Sequence, residues 1–176
     1  MAKRSIIPIK VLSSESKALY DALNEGNDVT AVLVASGFLD ACLGSLLETQ
    51  LLKSKVSEKL LNSNSGVLGT YVSRADLCYA LGVIPKPMYK DLVKIAEIRN
   101  EFAHSHMELR FHTERISKLC SELTYVSTLK NGNSEEPLID EKLVSGPRNK
   151  FMIATVMINN KLLLRGLELE RERKSA

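Results

Sequence analysis

The sequence predicts an all-α protein, a bundle of six or seven helices built around a long buried second helix. Three observations predict it. Apolar residues recur at steps of three and four in most segments, and no segment keeps a strand pattern of period two. Clusters of Gly, Pro, Asn and Ser divide those segments where turns are needed. Residues 29–53 are apolar around most of the helical circumference, which marks an element enclosed by others.

In chain order, residues 1–12 read as an N-terminal arm of extended or irregular backbone. Its basic start is followed by an apolar run that Pro8 and Lys10 break, too short for a signal peptide. Residues 13–176 read as a single helical domain. Ser13 or Ser14, with Glu15 following, starts a short amphipathic helix that carries Leu19, Tyr20 and Leu23 and ends near Gly26. Asn27 and Asp28 then cap the long second helix. Its run from Thr30 to Leu47 approaches the roughly 18 residues of a membrane span. Asp40 at the centre costs ~2.5–3.5 kcal/mol on insertion scales, so a core helix with no membrane contact is expected.

Residues 54–61 hold a weaker turn or two of helix, and 62–69 form a loop in which Gly66 and Gly69 flank an apolar pair. A helix over 72–81 ends at Gly82. The next begins at Lys86 or Pro87, after the Pro85 break, and runs to Ser105. Thr113 caps a helix over 113–128 with Ile116, Leu119, Cys120 and Leu123 inward. Residues 130–147 are the most loop-like stretch, and the last helix starts near Arg148 and grades into a charged tail over about 168–176. That tail reads as a solvated face.

Composition removes several classes of function. The net charge of +3 permits contact with RNA or DNA but does not argue for it. Cys42, Cys78 and Cys120 stand far apart inside apolar helical patterns. They read as reduced, buried small hydrophobes rather than a disulfide or zinc framework, which places the protein in the cytoplasm. His104, His106 and His112 lack a metal-ligand spacing, because positions two apart on a helix point away from each other. No metal or other cofactor is expected. The segment Leu77 to Lys94 superficially resembles a helix-turn-helix, but its connection is long and Asp91 on the would-be recognition face would repel phosphate.

One arrangement has chemical potential. Leu92, Ile95, Ala96, Arg99, Phe102 and Ala103 fall at helical steps, which sets Arg99 inside an apolar stripe. An unpaired buried charge costs several kcal/mol, roughly, so Arg99 is expected to meet an acid or line a cleft. Asp40 falls inward on the second helix, and Arg74 and Asp76 flank Leu77 and Leu81. Asp40, Arg74, Asp76 and Arg99 are therefore expected to form an internal polar network that fixes helix packing. The alternative is chemical. His104 lies about 140° round the axis from Arg99 and about 7.5 Å along it. His104 would act as general acid or base on RNA, Arg99 would stabilise phosphorane charge, and Asn100 would orient one of them.

The block Gly66-Val67-Leu68-Gly69, Ser73 to Ile84, Tyr89-Lys90-Asp91-Leu92 and Ile95 to His104 resembles the mannitol operon repressor (MltR) family. With Asp40 upstream and the Phe151 to Leu164 helix downstream, the resemblance covers most of 28–168. It implies an all-helical, transcription-related regulator without a conventional DNA-reading module, working through protein or indirect contacts. A protein partner, or a second copy in a homodimer, is then expected. The string Arg99-Asn100…His104 also resembles the signature of HEPN domains, helical bundles of which many are metal-independent endoribonucleases. That resemblance implies catalytic roles for Arg99, Asn100 and His104 and for no other position.

Overall fold

Asn27 accepts the backbone N–H of Thr30 at 2.8 Å and so starts the helix against which most of the others pack. The computed structural model describes residues 6–105, 109–132 and 135–175. These contain eight α-helices: α1 (Ile9–Ser14), α2 (Ser16–Glu25), α3 (Asp28–Gln50), α4 (Lys55–Leu61), α5 (Tyr71–Ala80), α6 (Lys86–His104), α7 (Glu114–Ser121) and α8 (Pro147–Ser175). Two 3-10 turns, Tyr125–Thr128 and Glu141–Val144, lie between α7 and α8. The described residues hold no strand, only an isolated bridge between Lys130 and Pro137.

Helix α3 packs most extensively on α8, and also on α2, α5 and α6. It is long and apolar enough to cross a membrane. Its buried residues run right round the helix, from Ala31, Val32 and Ala35 to Cys42, Leu43, Leu46 and Leu47, as expected of a core element with neighbours on several sides. The second long element, α8, sends Phe151, Ile158 and Leu162 into the same core. Helix α7 closes the bundle against α6 and α8.

The N-terminal arm is shorter than the sequence suggests. Pro8 is an N-cap rather than a breaker: its carbonyl accepts from Val11 and Leu12 at 2.9 and 3.1 Å, and Ile9 and Leu12 turn into the core. Helix α1 brings the α-helices to eight instead of six or seven. Ile9 is fully buried against Gly166 of α8, where an added Cβ would lie 2.6 Å from its Cγ1. Glycine is what lets α1 sit this close. Ile9→Ala is expected to cost about 2–4 kcal/mol in urea unfolding, whereas an irregular arm would lose almost nothing.

Two further boundaries move. The helix expected over 113–128 ends at Ser121 and resumes as the 3-10 turn at Tyr125. Asp91 of α6 causes the break: its carboxylate accepts from Thr124 N at 3.0 Å and from Tyr125 N at 2.8 Å, replacing helical partners at that point. The charged tail belongs to α8, with Leu169 buried. Arg173 there donates to the carbonyls of Glu48 and Thr49, both at 3.3 Å, and Leu51 at 3.4 Å. A cation thus covers the C-terminal carbonyls of α3, where the helix dipole favours it.

Candidate functional site

Arg74 rises from the first turns of α5, a helix started by a Thr70–Ser73 capping box. Its guanidinium is almost fully buried and its donors diverge. Nε donates to Leu68 O at 2.9 Å, Nη2 to Leu61 O at 3.2 Å, and Nη1 to the Asp40 carboxylate at 2.9 Å. One side chain therefore fastens both edges of the 62–69 loop to α3. Gly44 makes room for it, since a Cβ there would lie 3.3 Å from Nη1. Asp40 keeps about a third of its side chain exposed, at 35%. It lines a cleft of about 360 Å³ with Arg74, Gly37, Ser63 and Ile6.

Arg99 is not part of this network, which corrects the expectation that it points inward. The buried face of α6 runs Met88, Asp91, Ile95, Ile98 and Phe102, at alternating steps of three and four. Arg99 stands about 100° round from Ile98, on the flank that follows Leu92 and Ala96. Helix α5 folds back along that flank, and ten residues at ~1.5 Å each span only about 15 Å. Beyond its end Arg99 and Ala103 face solvent. Among the described residues Arg99 donates only to the neighbouring Asn100 Oδ1, at 3.1 Å.

Asp76 is also placed apart from Arg74 and Arg99. It accepts the hydroxyl of Tyr89 at 2.9 Å on the outer side of α5 and α6. That bond to a carboxylate raises the Tyr89 phenol above its ordinary value. The Tyr89 ring stacks on Tyr79, centroids 4.7 Å apart and planes 12° from parallel. The arrangement is a surface one, with Tyr79, Asp76 and Leu81 exposed.

The catalytic alternative gains no geometric support. Arg99, Asn100 and His104 are all exposed at the C-terminal end of α6, and none of them lines the cleft beside Asp40 and Arg74. His106 lies outside the described residues. Burial pushes the thiols of Cys42, Cys78 and Cys120 up to about 12, so they stay protonated at neutral pH and none is a ready nucleophile. Arg99→Ala and His104→Ala are each expected to change stability by no more than about 0.5 kcal/mol, measured by chemical denaturation. A loss several times larger in Arg99→Ala would restore an inward role.

Asp91 is the residue that sequence reasoning misplaced most. It is 1% exposed, inside the bundle rather than on an outward recognition face. Its signal was present: Met88, Asp91, Ile95, Ile98 and Phe102 keep an unbroken core rhythm. Desolvation raises its carboxyl above the ordinary range, and the bonds from Thr124 and Tyr125 and the charge of Lys150 offset this only in part. The folded chain therefore holds this proton more tightly than the unfolded chain does. The contribution to stability is greatest below the ordinary aspartate value and falls as pH rises toward the raised one. Asp91→Asn is expected to remove that downward slope from urea midpoints measured across the acidic range.

Asp28 and Arg148 form a second junction that the sequence does not signal. Asp28 Oδ1 pairs with Arg148, and Oδ2 accepts Phe111 N at 2.9 Å. Arg148 also donates to the carbonyls of Leu23 and Gly26, both at 2.9 Å, at the end of α2. These partners are 83 to 125 positions apart in the chain, so no local pattern reveals them.

Comparison with known proteins follows the same fold. The family model described as MtlR, mannitol repressor, matches residues 15–165. No curated protein matches the chain. Among solved structures, a chain of the X-ray structure of the MtlR–HPr complex from Escherichia coli is similar, with a TM-score of 0.63 and 22% identity. The likeness covers 85% of this chain and 98% of that one.

Proposed function

Because this chain belongs to the mannitol repressor family, we propose that it is a transcription-related regulator that acts by docking a protein partner, with HPr the first candidate. The observation that carries the reading is the family match over most of the chain, together with a fold shared along nearly the whole of a chain from a regulator–HPr complex. The structure's own chemistry agrees with a binding role. Its best-buried ionic groups, Arg74 and Asp91, are spent on backbone carbonyls, backbone N–H groups and an α3 carboxylate. Such groups hold helices in place and leave the surface to recognition. The same proposal puts the protein in the cytoplasm, a reading supported by three cysteines that are all free and buried.

Co-elution tests the reading. Purified HPr mixed with the full chain is expected to run on a sizing column as a complex larger than either component. The elution volume of the free chain reports at the same time whether it is a homodimer. Separate elution of the two proteins, with cleavage of RNA in EDTA that His104→Ala abolishes, would replace the regulator with a nuclease.

A further inference from the structure

We infer that a water molecule is bound in the core beside Cys42, accepting from Asn159 Nδ2 and from Tyr71 Oη and so linking α3, α8 and α5. Nothing in this depends on the protein partner proposed above.

Asn159 is fully buried on α8, the helix that packs most extensively on α3. Its Oδ1 accepts the Cys42 thiol, with Sγ at 3.4 Å, while its amino group has no hydrogen-bond partner among the described residues. Turning the amide over would only exchange which end faces the thiol, and the other end would still lack a partner. Tyr71, the first residue of α5, has a buried hydroxyl that is likewise unpartnered. Burial first, and then Asp40 and Cys42, raise its phenol well above the ordinary value, so it stays protonated and able to donate. These are the two buried side-chain groups that lack a partner among the described residues, and both have Cys42 as a neighbour. A single acceptor beside Cys42 satisfies both. A buried donor left dry costs more than an ordinary hydrogen bond contributes, so native cores rarely leave one.

The chemistry of the two groups selects water. Each offers a proton and needs a lone pair, and the water oxygen supplies both lone pairs. A cation would meet two protons instead, and neither group carries a charge that would hold an anion in a desolvated core. The water's own protons have acceptors of matching type. The Cys42 sulfur is one. The other is the hydroxyl oxygen of Thr155, fully buried one turn before Asn159 on the same face of α8. Thr155 donates its proton to Phe151 O at 2.9 Å and keeps a lone pair free to accept. Polar partners on this scale, about three per molecule, are the usual complement of a buried water.

The sign of a stability change tests the bridge. In the full chain, Tyr71→Phe and Asn159→Leu are each expected to lower the folding equilibrium constant, from urea unfolding, by about tenfold. Each strips the water of a donor and leaves the other group poorly paired. Without the water, the same substitutions delete a donor that has no partner, and the constant would stay level or rise. The two losses are expected to overlap, so that the double variant falls by clearly less than their product. In the wild type, water should give a nuclear Overhauser contact to the Asn159 side-chain amide with the sign of a long-lived molecule. Variants at least as stable as the wild type, with no such contact, overturn the inference. Losses that simply multiply would mean that the two groups share no water, which also overturns it. If a variant fails to fold, the Overhauser contact in the wild type decides.

Discussion

Arg74→Met is expected to lower the free energy of unfolding by about 3–5 kcal/mol, the range for removing one partner of a buried ion pair. The loss has two parts. The carbonyls of Leu61 and Leu68 lose the donors that hold the 62–69 loop, and Asp40 loses the cation beside it. Asp40 retains some contact with water, at 35% side-chain exposure, which sets the cost toward the lower end of that range. Arg74→Lys is expected to recover only part of it. A lysine restores a charge but cannot reach three diverging acceptors with one ammonium. Urea unfolding of the three proteins gives the ranking directly, and equal stability of Arg74→Met and wild type would remove Arg74 from its central place in the fold.

Phe151→Ala is expected to cost about 3–5 kcal/mol, the usual range for deleting a fully buried aromatic ring. Phe151 is completely enclosed and lies at the first turns of α8. Its centroid is 5.3 Å from that of Phe111, which in turn is 5.7 Å from Phe102 of α6. The three rings join α6, α8 and the segment before α7, so a cavity at Phe151 loosens three elements together. Phe111 also receives the Arg148 guanidinium over its face at 5.6 Å. A thermal melt should fall by on the order of 10 °C, and a fall of only a degree or two would mean that neighbouring side chains collapse into the space.

These two sites differ in how far the sequence reveals them. The all-α class, the long apolar helix, the Gly82 turn and the Pro85 entry to α6 are all visible, because periodicity and turn chemistry act locally. The direction of a side chain near a helix end depends on how far a neighbouring helix extends. Arg99 shows this: its spacing from Ile95 and Phe102 suits an inward position, but α5 is too short to cover it. Asp91 shows the opposite case, where a charged residue keeps the core rhythm and is buried because the backbone N–H groups of Thr124 and Tyr125 wait for it. No pattern within α6 announces those donors, which lie 33 and 34 positions away. Ile9 was hidden by Pro8, a residue that ends helices from within but begins them from just outside.

The proposed function is regulation by binding a protein, with Arg99 and His104 as surface residues of α6. Calorimetric titration of HPr into the full chain measures it most directly. A saturable heat with a defined stoichiometry is expected, unchanged in His104→Ala. A flat trace for HPr, with saturable binding of RNA that His104→Ala loses, would contradict it.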